Sequence, residues 1–299
     1  MSDPAKPREI VVISGKGGTG KTSATASFAV LAAGRAVLAD CDVDAADLHL
    51  VLSPRIVTRA EFKSGYGAVI RSEACTGCGT CAELCRFGAV RPSERVSGAR
   101  QVYAVDPAAC EGCGVCVRFC PAGAIAFSER VSGEWMVSET RCGPMVHARL
   151  HAAAENSGKL VSVVRNEARR VAEERQLPLI ISDGPPGIGC PVISSVTGAD
   201  GVLAVTEPTV SGEHDLARVM QLTRHFGVPT FVCVNKWDLN PDAAGRIERA
   251  AERAGARLVG RIRYDRGVTD AQRQAKAVVE TDTPAAADVR SIWKKVETD

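Results

Sequence analysis

Gly15-Lys16-Gly17-Gly18-Thr19-Gly20-Lys21-Thr22 is the stretch on which the fold turns. It satisfies G-x-x-x-x-G-K-[ST], and its flanks supply the context that pattern needs. Residues 9–14 (EIVVIS) form a short apolar, β-branched run, whereas residues 22–33 are Ala-rich and helical in character. Strand, glycine loop and helix in that order make a phosphate cradle. The glycines let backbone N–H groups turn inward, and the helix N-terminus adds partial positive charge. Lys21 is then placed to neutralise β- and γ-phosphate oxygens, and the Thr22 hydroxyl to ligate Mg²⁺.

Further strand-like runs are expected at 36–39, 160–164, 179–182, 201–205, 230–234 and 257–261, with helices at 167–176, 213–226, 242–254 and 285–296. Alternation of this kind predicts an α/β fold, a mostly parallel sheet flanked by helices on both faces. The alternation fails between about Thr58 and Thr140, where eight of the twelve cysteines lie. The expected organisation is therefore a first domain part at 1–57, an insertion at 58–140 and a second part at 141–299.

The insertion repeats itself. Cys75, Cys78, Cys81 and Cys85 map onto Cys110, Cys113, Cys116 and Cys120 at an offset of 35, and Ser-Glu-Arg-Val-Ser-Gly at Ser93 recurs at Ser128. The spacing C-x2-C-x2-C-x3-C, followed by Pro121 in the second copy, matches the bacterial ferredoxin run. In that run each fourth cysteine serves the other cluster. The resemblance implies a small α+β module with two 4Fe–4S clusters, one on Cys75, Cys78, Cys81 and Cys120, the other on Cys110, Cys113, Cys116 and Cys85. Arg86 stands where proline usually follows the first run. A zinc ribbon would leave the third and fourth cysteines of each run idle, and a disulfide framework suits a secreted chain.

Lys16 gives the glycine loop a second lysine. K-G-G-T-G-K-T resembles the deviant Walker A of the MinD/ParA and nitrogenase iron protein family, across most of the chain outside the insertion. The resemblance implies an ATPase, slow and partner-stimulated, with Lys16 reaching the nucleotide of a second subunit in an ATP-bound homodimer or a heterodimer with a similar ATPase. Lys16, Lys21 and Asp42 become the catalytic candidates. Asp42, in Asp40-Cys41-Asp42-Val43-Asp44, would orient the attacking water, with Asp40 supporting the magnesium shell. Asp183, closing the apolar run Leu179-Ile180-Ile181-Ser182 before Gly184-Pro185-Pro186-Gly187, resembles the family's Walker B acid and would meet Mg²⁺ through water. Gly15 to Thr22 and Thr25 complete the phosphate side. Asn235, Lys236 and Asp238 are the base-side candidates, with Arg263-Tyr264-Asp265 beyond them. Asn235-Lys236-Trp237-Asp238 also fits the N-K-x-D guanine box, and the loop variant favours ATP.

The remaining cysteines are Cys41, Cys142, Cys190 and Cys233. Cys233 reads as packing; Cys190 lies seven residues after Asp183, much as the nitrogenase iron protein places a ligand of its intersubunit cluster, but residues 161–177, where the second ligand would fall, hold no cysteine, which leaves a structural role as the alternative. A net charge of +2 with no Lys/Arg block argues against nucleic acid as a partner. No run reaches the roughly 18 apolar residues of a membrane span, so a cytoplasmic protein is expected. The leading expectation is ATP-dependent dimer switching coupled to electron transfer or metallocluster delivery to a redox or metallocluster-binding protein. The alternative is a MinD/ParA-like positioning switch with structural or sensing clusters, against which 291–297 is too short and mixed for a good membrane helix.

Overall fold

The computed structural model describes residues 6–93, 101–151 and 158–298. In chain order the elements are β1 (Arg8–Ser14), α1 (Lys21–Leu31), β2 (Ala36–Asp40), α2 (Leu48–Leu52), β3 (Arg55–Ile70), α3 (Thr80–Glu83), β4 (Val90–Pro92), β5 (Tyr103–Val105), α4 (Val115–Arg118), β6 (Ile125–Thr140), β7 (Gly143–Leu150), α5 (Lys159–Glu174), β8 (Leu179–Pro186), α6 (Cys190–Val196), β9 (Gly201–Thr206), α7 (Val210–His225), β10 (Thr230–Asn235), α8 (Pro241–Arg253), β11 (Arg257–Ile262), α9 (Arg266–Arg273) and α10 (Pro284–Thr298). They fall into two compact units. One is drawn from Met1–Ala60, Trp135–Arg149 and Asn156–Asp299, the other from Glu61–Glu134 and Leu150–Glu155. The insertion expected at 58–140 overlaps the longer segment of the second unit, Glu61–Glu134.

The first unit is built on a sheet of order β11-β10-β9-β1-β8-β2-β7, which continues into β6 and β3. From β11 to β7 every pairing is parallel. β1 shows why its run carries no polar alternation. Ile10 and Val12 point into one core with Phe28 of α1 and Trp293 of α10, while Val11 and Ile13 point into another with Val192 of α6, Val219 of α7 and Ile247 of α8. A strand buried on both faces has to be apolar throughout. The parallel, helix-covered architecture expected from the sequence is the one observed.

The expected strand at 160–164 is instead the first half of α5. Short β-branched runs such as Leu160-Val161-Ser162-Val163-Val164 do not separate strand from helix by composition. Burial does: Leu160, Val161, Val164, Ala168, Val171 and Ala172 share one helical face. β7, α6 and α9, along with the long strands β3 and β6, have no counterpart among the elements expected from the sequence.

The second unit contains α3, β4, β5, α4 and the adjoining stretches of β3 and β6. β4 and β5 pair antiparallel, Val90 opposite Val105. Its two small apolar clusters centre on Ala68, Val90 and Ile125 and on Val102 and Ala124, with cysteines among the packed side chains of both. The first Ser-Glu-Arg-Val-Ser-Gly copy lies, from 94 onward, outside the described residues.

One ion pair inside the first unit ties four elements together. Glu9 of β1 is 2% exposed and accepts from Arg165 Nε at 2.7 Å and Nη2 at 2.8 Å, from Arg169 at 2.6 Å, and from Ser182 of β8 at 3.2 Å. Arg165 also donates to the Ser194 and Thr197 carbonyls around the end of α6. Arg165→Met leaves a buried carboxylate and two carbonyls short of partners, and is expected to cost about 3 kcal/mol. Adding Glu9→Gln should recover a large part of that. Urea midpoints of the single and double variants check both, and an unchanged midpoint for Arg165→Met would refute the assignment.

Candidate functional site

The loop between β1 and α1 is shaped at Gly15 and Gly20, where no larger residue fits. Gly20 caps α1 with φ +91°, and a Cβ there would fall 2.3 Å from Asn235 Nδ2. A Cβ on Gly15 would fall 2.3 Å from the Cβ of Asp215. Asn235, at the end of β10, donates its amide to the Thr19 carbonyl at 2.8 Å, so the loop is held from the far side of the cleft. The Thr19 hydroxyl is buried and has no hydrogen-bond partner among the described residues.

Lys21 opens α1 and is 6% exposed; its Nζ lies 3.0 Å from Asp42 Oδ2 and 3.3 Å from Asp183 Oδ1. Sheet register brings these groups together, since Asp40 closes β2 directly opposite Asp183 of β8. Thr22 donates to Asp183 Oδ2 at 2.7 Å, and Thr25 donates to Asp183 Oδ1 at 2.9 Å. The Asp40 carboxylate accepts from the backbone N–H of Asp42 and of Leu48, both at 3.3 Å. Three carboxylates thus crowd one ammonium. Burial pushes the Asp40 carboxyl well above the usual carboxylate range, and Asp183 adds to the effect. Burial raises Asp42 as well, against the pull of Lys21. Burial disfavours the Lys21 ammonium, but Asp183 and then Asp42 outweigh it and lift its pKa above the ordinary lysine value.

The loop faces a cleft of about 1310 Å³ whose far wall includes Asn235, Lys236 and the Arg263–Asp265 stretch. Asp238 sits behind that wall and accepts from the Tyr264 N–H at 2.7 Å. Gly17, Gly18, Gly20, Lys21, Thr22 and Asp42 on the phosphate side and Asn235 and Lys236 on the base side therefore border one space. Lys16 is turned toward its own chain, with Nζ 3.1 Å from Ser211 Oγ and 3.8 Å from Glu207 Oε2. Lys236, at φ +54°, reaches the other Glu207 oxygen at 2.5 Å. The sequence reading missed Glu207. Its place just past β9, at the carboxyl edge where such sheets gather ligands, was the available signal.

The eight repeated cysteines gather around two hollows in the second unit. Cys75, Cys78, Cys81 and Cys120 line one, and Cys85, Cys110, Cys113 and Cys116 line the other. Each hollow thus takes three thiols from one run and the last thiol of the other. The Cys78 thiol lies below the ordinary thiol value, chiefly because the Thr80 hydroxyl donates to it. Burial opposes the Cys85 thiolate, yet backbone N–H groups from Ala89 and Phe87 onward bring its pKa down. All twelve cysteines are free thiols. Among the described residues no three His, Cys, Asp or Glu side chains converge as a single metal ion requires. Of the other four cysteines, Cys41, Cys142 and Cys233 are buried and Cys190 is exposed.

Comparison with known proteins follows the same lines. Residues 10–278 match the model of the CobQ/CobB/MinD/ParA nucleotide binding domain. Uncharacterized protein MJ0578 of Methanocaldococcus jannaschii is 34% identical over 236 residues, 78% of this chain and 79% of that one. Among solved structures, the septum site-determining protein MinD of Pyrococcus horikoshii complexed with Mg-ADP superposes with a TM-score of 0.57 at 16% identity, over 97% of this chain and 96% of that one. A Cyanothece McdA variant in complex with ATP gives 0.58 at 15% identity, over 98% of this chain and 96% of that one. Among the described residues no helix is long and apolar enough to cross a membrane. With its glycine loop, strand-end carboxylates and parallel sheet all inside the matched span, the chain belongs to the CobQ/CobB/MinD/ParA nucleotide-binding family.

Proposed function

We propose that the chain is a magnesium-dependent ATPase that also carries two 4Fe–4S clusters, and that nucleotide-driven dimerisation gates electron or metallocluster delivery to a protein partner. The observation that carries the ATPase half is the Lys21 ammonium held within 3.3 Å of both Asp42 and Asp183 at the floor of the cleft. A triphosphate competes for that ammonium with oxygens of higher charge. Lys21 then neutralises β- and γ-phosphate oxygens, and Asp42, released from its ion pair, is free to orient water toward the γ-phosphorus. Mg²⁺ would be held by Thr22, with Asp183 and Asp40 behind it, and would supply charge to the phosphate oxygens. Asn235, which lines the same space, steadies the loop through its bond to the Thr19 carbonyl. MinD of P. horikoshii holds Mg-ADP and McdA of Cyanothece holds ATP on this fold, which favours adenine over guanine.

The cluster half rests on donor chemistry. Eight thiols in two fours, unpaired by disulfides, suit polynuclear iron, whose ligands stand around a cube; a lone zinc draws its ligands to about 2.3 Å from one point. In sequence the module lies between Asp42 and Asp183, so the chain that leaves one nucleotide-side carboxylate passes through the cysteines before reaching the other. The alternative, a MinD/ParA-like positioning switch, fits the same family and fold. The apolar face of α10 is spent in the core, with Trp293 4% exposed and 4.9 Å from the Phe28 ring.

Anaerobic purification with iron, sulfide and nucleotide analysis is the direct test: roughly eight iron and eight sulfide per chain and ATP-selective hydrolysis are expected. Zinc in place of iron would remove the cluster half, and GTP preference would redirect the ATPase half. Cys120→Ser should strip the hollow of the first run and leave about half the iron. Loss confined to the second run's own hollow would contradict the crossed ligand sets.

Asp42→Asn should slow hydrolysis about 100-fold while nucleotide still binds, since orientation of the water is lost and the cradle is not. The same variant makes a pH prediction. Asp42 binds its proton more tightly folded than unfolded, so its ionisation weakens the nucleotide-free fold as pH rises above the unfolded carboxylate value of about 3.9. Thermal melts should show Asp42→Asn more stable than the parent at pH 7.5, with the gap closing toward pH 4. A parent that melts higher at neutral pH would count against the crowded-carboxylate description.

A further inference from the structure

The two cysteine hollows share one wall plan. Every residue lining the first, from Ile70 to Ile125, has a counterpart 35 positions away lining the second. The backbone donors of the plan are repeated as well: Ala82 N–H serves Cys81 as Val117 N–H serves Cys116, and Ala89 N–H serves Cys85 as Ala124 N–H serves Cys120. What duplication holds constant cannot distinguish the sites. The polar side chains can.

At three positions the first hollow carries a hydroxyl and the second does not. Thr76 stands against Glu111, Thr80 against Val115, and Tyr103 against Ala68. The Thr80 hydroxyl donates to the Cys78 sulfur and the Thr76 hydroxyl adds a second bond. The Tyr103 hydroxyl reaches into the turn beside it, 3.0 Å from where a Cβ on Gly79 would sit. On the other side, Cys113 is flanked by the Glu111 carboxylate and the Val115 methyls. Hydrogen bonds to cluster sulfurs stabilise the more negative, reduced state, and a nearby carboxylate destabilises it. Arg86, whose counterpart is Pro121, works the other way beside Cys85. It lines neither hollow, whereas Glu111 lines the second and the Thr76 and Thr80 hydroxyls bond the Cys78 sulfur in the first.

We propose that the module is internally polarised: Thr76, Thr80 and Tyr103 make the Cys75/Cys78/Cys81/Cys120 site the electron sink, and the Cys85/Cys110/Cys113/Cys116 site the low-potential one. The inference rests on the two-cluster reading above. The step it describes moves one electron and no proton, taking the second site from 1+ to 2+ and the first from 2+ to 1+, with no bond made or broken. An external low-potential one-electron donor supplies the electron. The first site is then where a single electron rests, and the second is where a strongly reducing electron is available.

The experiment is an EPR-monitored reductive titration of the anaerobic full-length protein with dithionite, after its iron and sulfide have been measured. Two one-electron steps are expected, separated by at least a tenfold preference, 59 mV. Thr76→Val with Thr80→Val and Tyr103→Phe should lower only the higher potential and bring the preference below tenfold. Glu111→Gln should raise only the lower one. Val115→Thr, which adds a hydroxyl to the second hollow without emptying the first, should also raise the lower potential, and keeps the test open if the triple variant does not fold. A single shared potential in the parent, or hydroxyl removal that shifts the lower step, overturns the polarity. A preparation without iron overturns the two-cluster reading beneath it, which the metal assay reports separately.

Discussion

One buried ammonium holds the first unit's working end together. Lys21 Nζ stands between carboxylates that would otherwise repel one another across adjacent strand ends, with Asp183 wholly buried and Asp42 nearly so. Removing the ammonium from such a group leaves uncompensated negative charge in a low-dielectric interior, at a cost of several kcal/mol. The strand order follows the same requirement: β8 must lie beside both β1 and β2 for Asp183 to face Asp40 and for Lys21, Thr22 and Thr25 to reach it from α1. The site is consequently a strained balance of charge, and a polyanion with a divalent cation is the chemistry that resolves it.

The second unit is organised by a different constraint. Its apolar clusters are too small to account for its order alone, and sulfur-bearing side chains complete them: Cys75 and Cys81 are buried members, and Cys85, Cys110, Cys116 and Cys120 pack against them. Under the cluster reading, what the thiols hold is part of the core, so metal loading and folding of this unit are a single event. The exposed thiols Cys78 and Cys113 then mark where each site meets solvent.

Motifs and periodicity carried the sequence reading a long way and failed for identifiable reasons. The glycine loop and the strand-end aspartates were readable because short-range spacing dictates them. The repeated cysteines were readable because duplication leaves a fixed offset. Residues 160–164 were misread because Val161, Val163 and Val164 favour strands in isolation, whereas burial of one face over sixteen residues makes them helical. Glu207 could not be linked to Lys16 and Lys236 from sequence, since the three meet only after β9, β10 and the glycine loop are brought side by side. The hydroxyl difference between the hollows was equally hidden, because Tyr103 and Ala68 become equivalent only once each lies across from the other copy's cysteines.

The sheet order also sets a timetable for the growing chain. β1 pairs only with β8 and β9, and β2 only with β7 and β8, so the first strand, which ends at Ser14, has no neighbour until Leu179 has been translated. All eight repeated cysteines leave the ribosome in that interval. A cell making this protein therefore presents the thiol-rich segment to its surroundings and, under the cluster reading, to whatever supplies iron and sulfide, while the nucleotide fold is still waiting for its central strand.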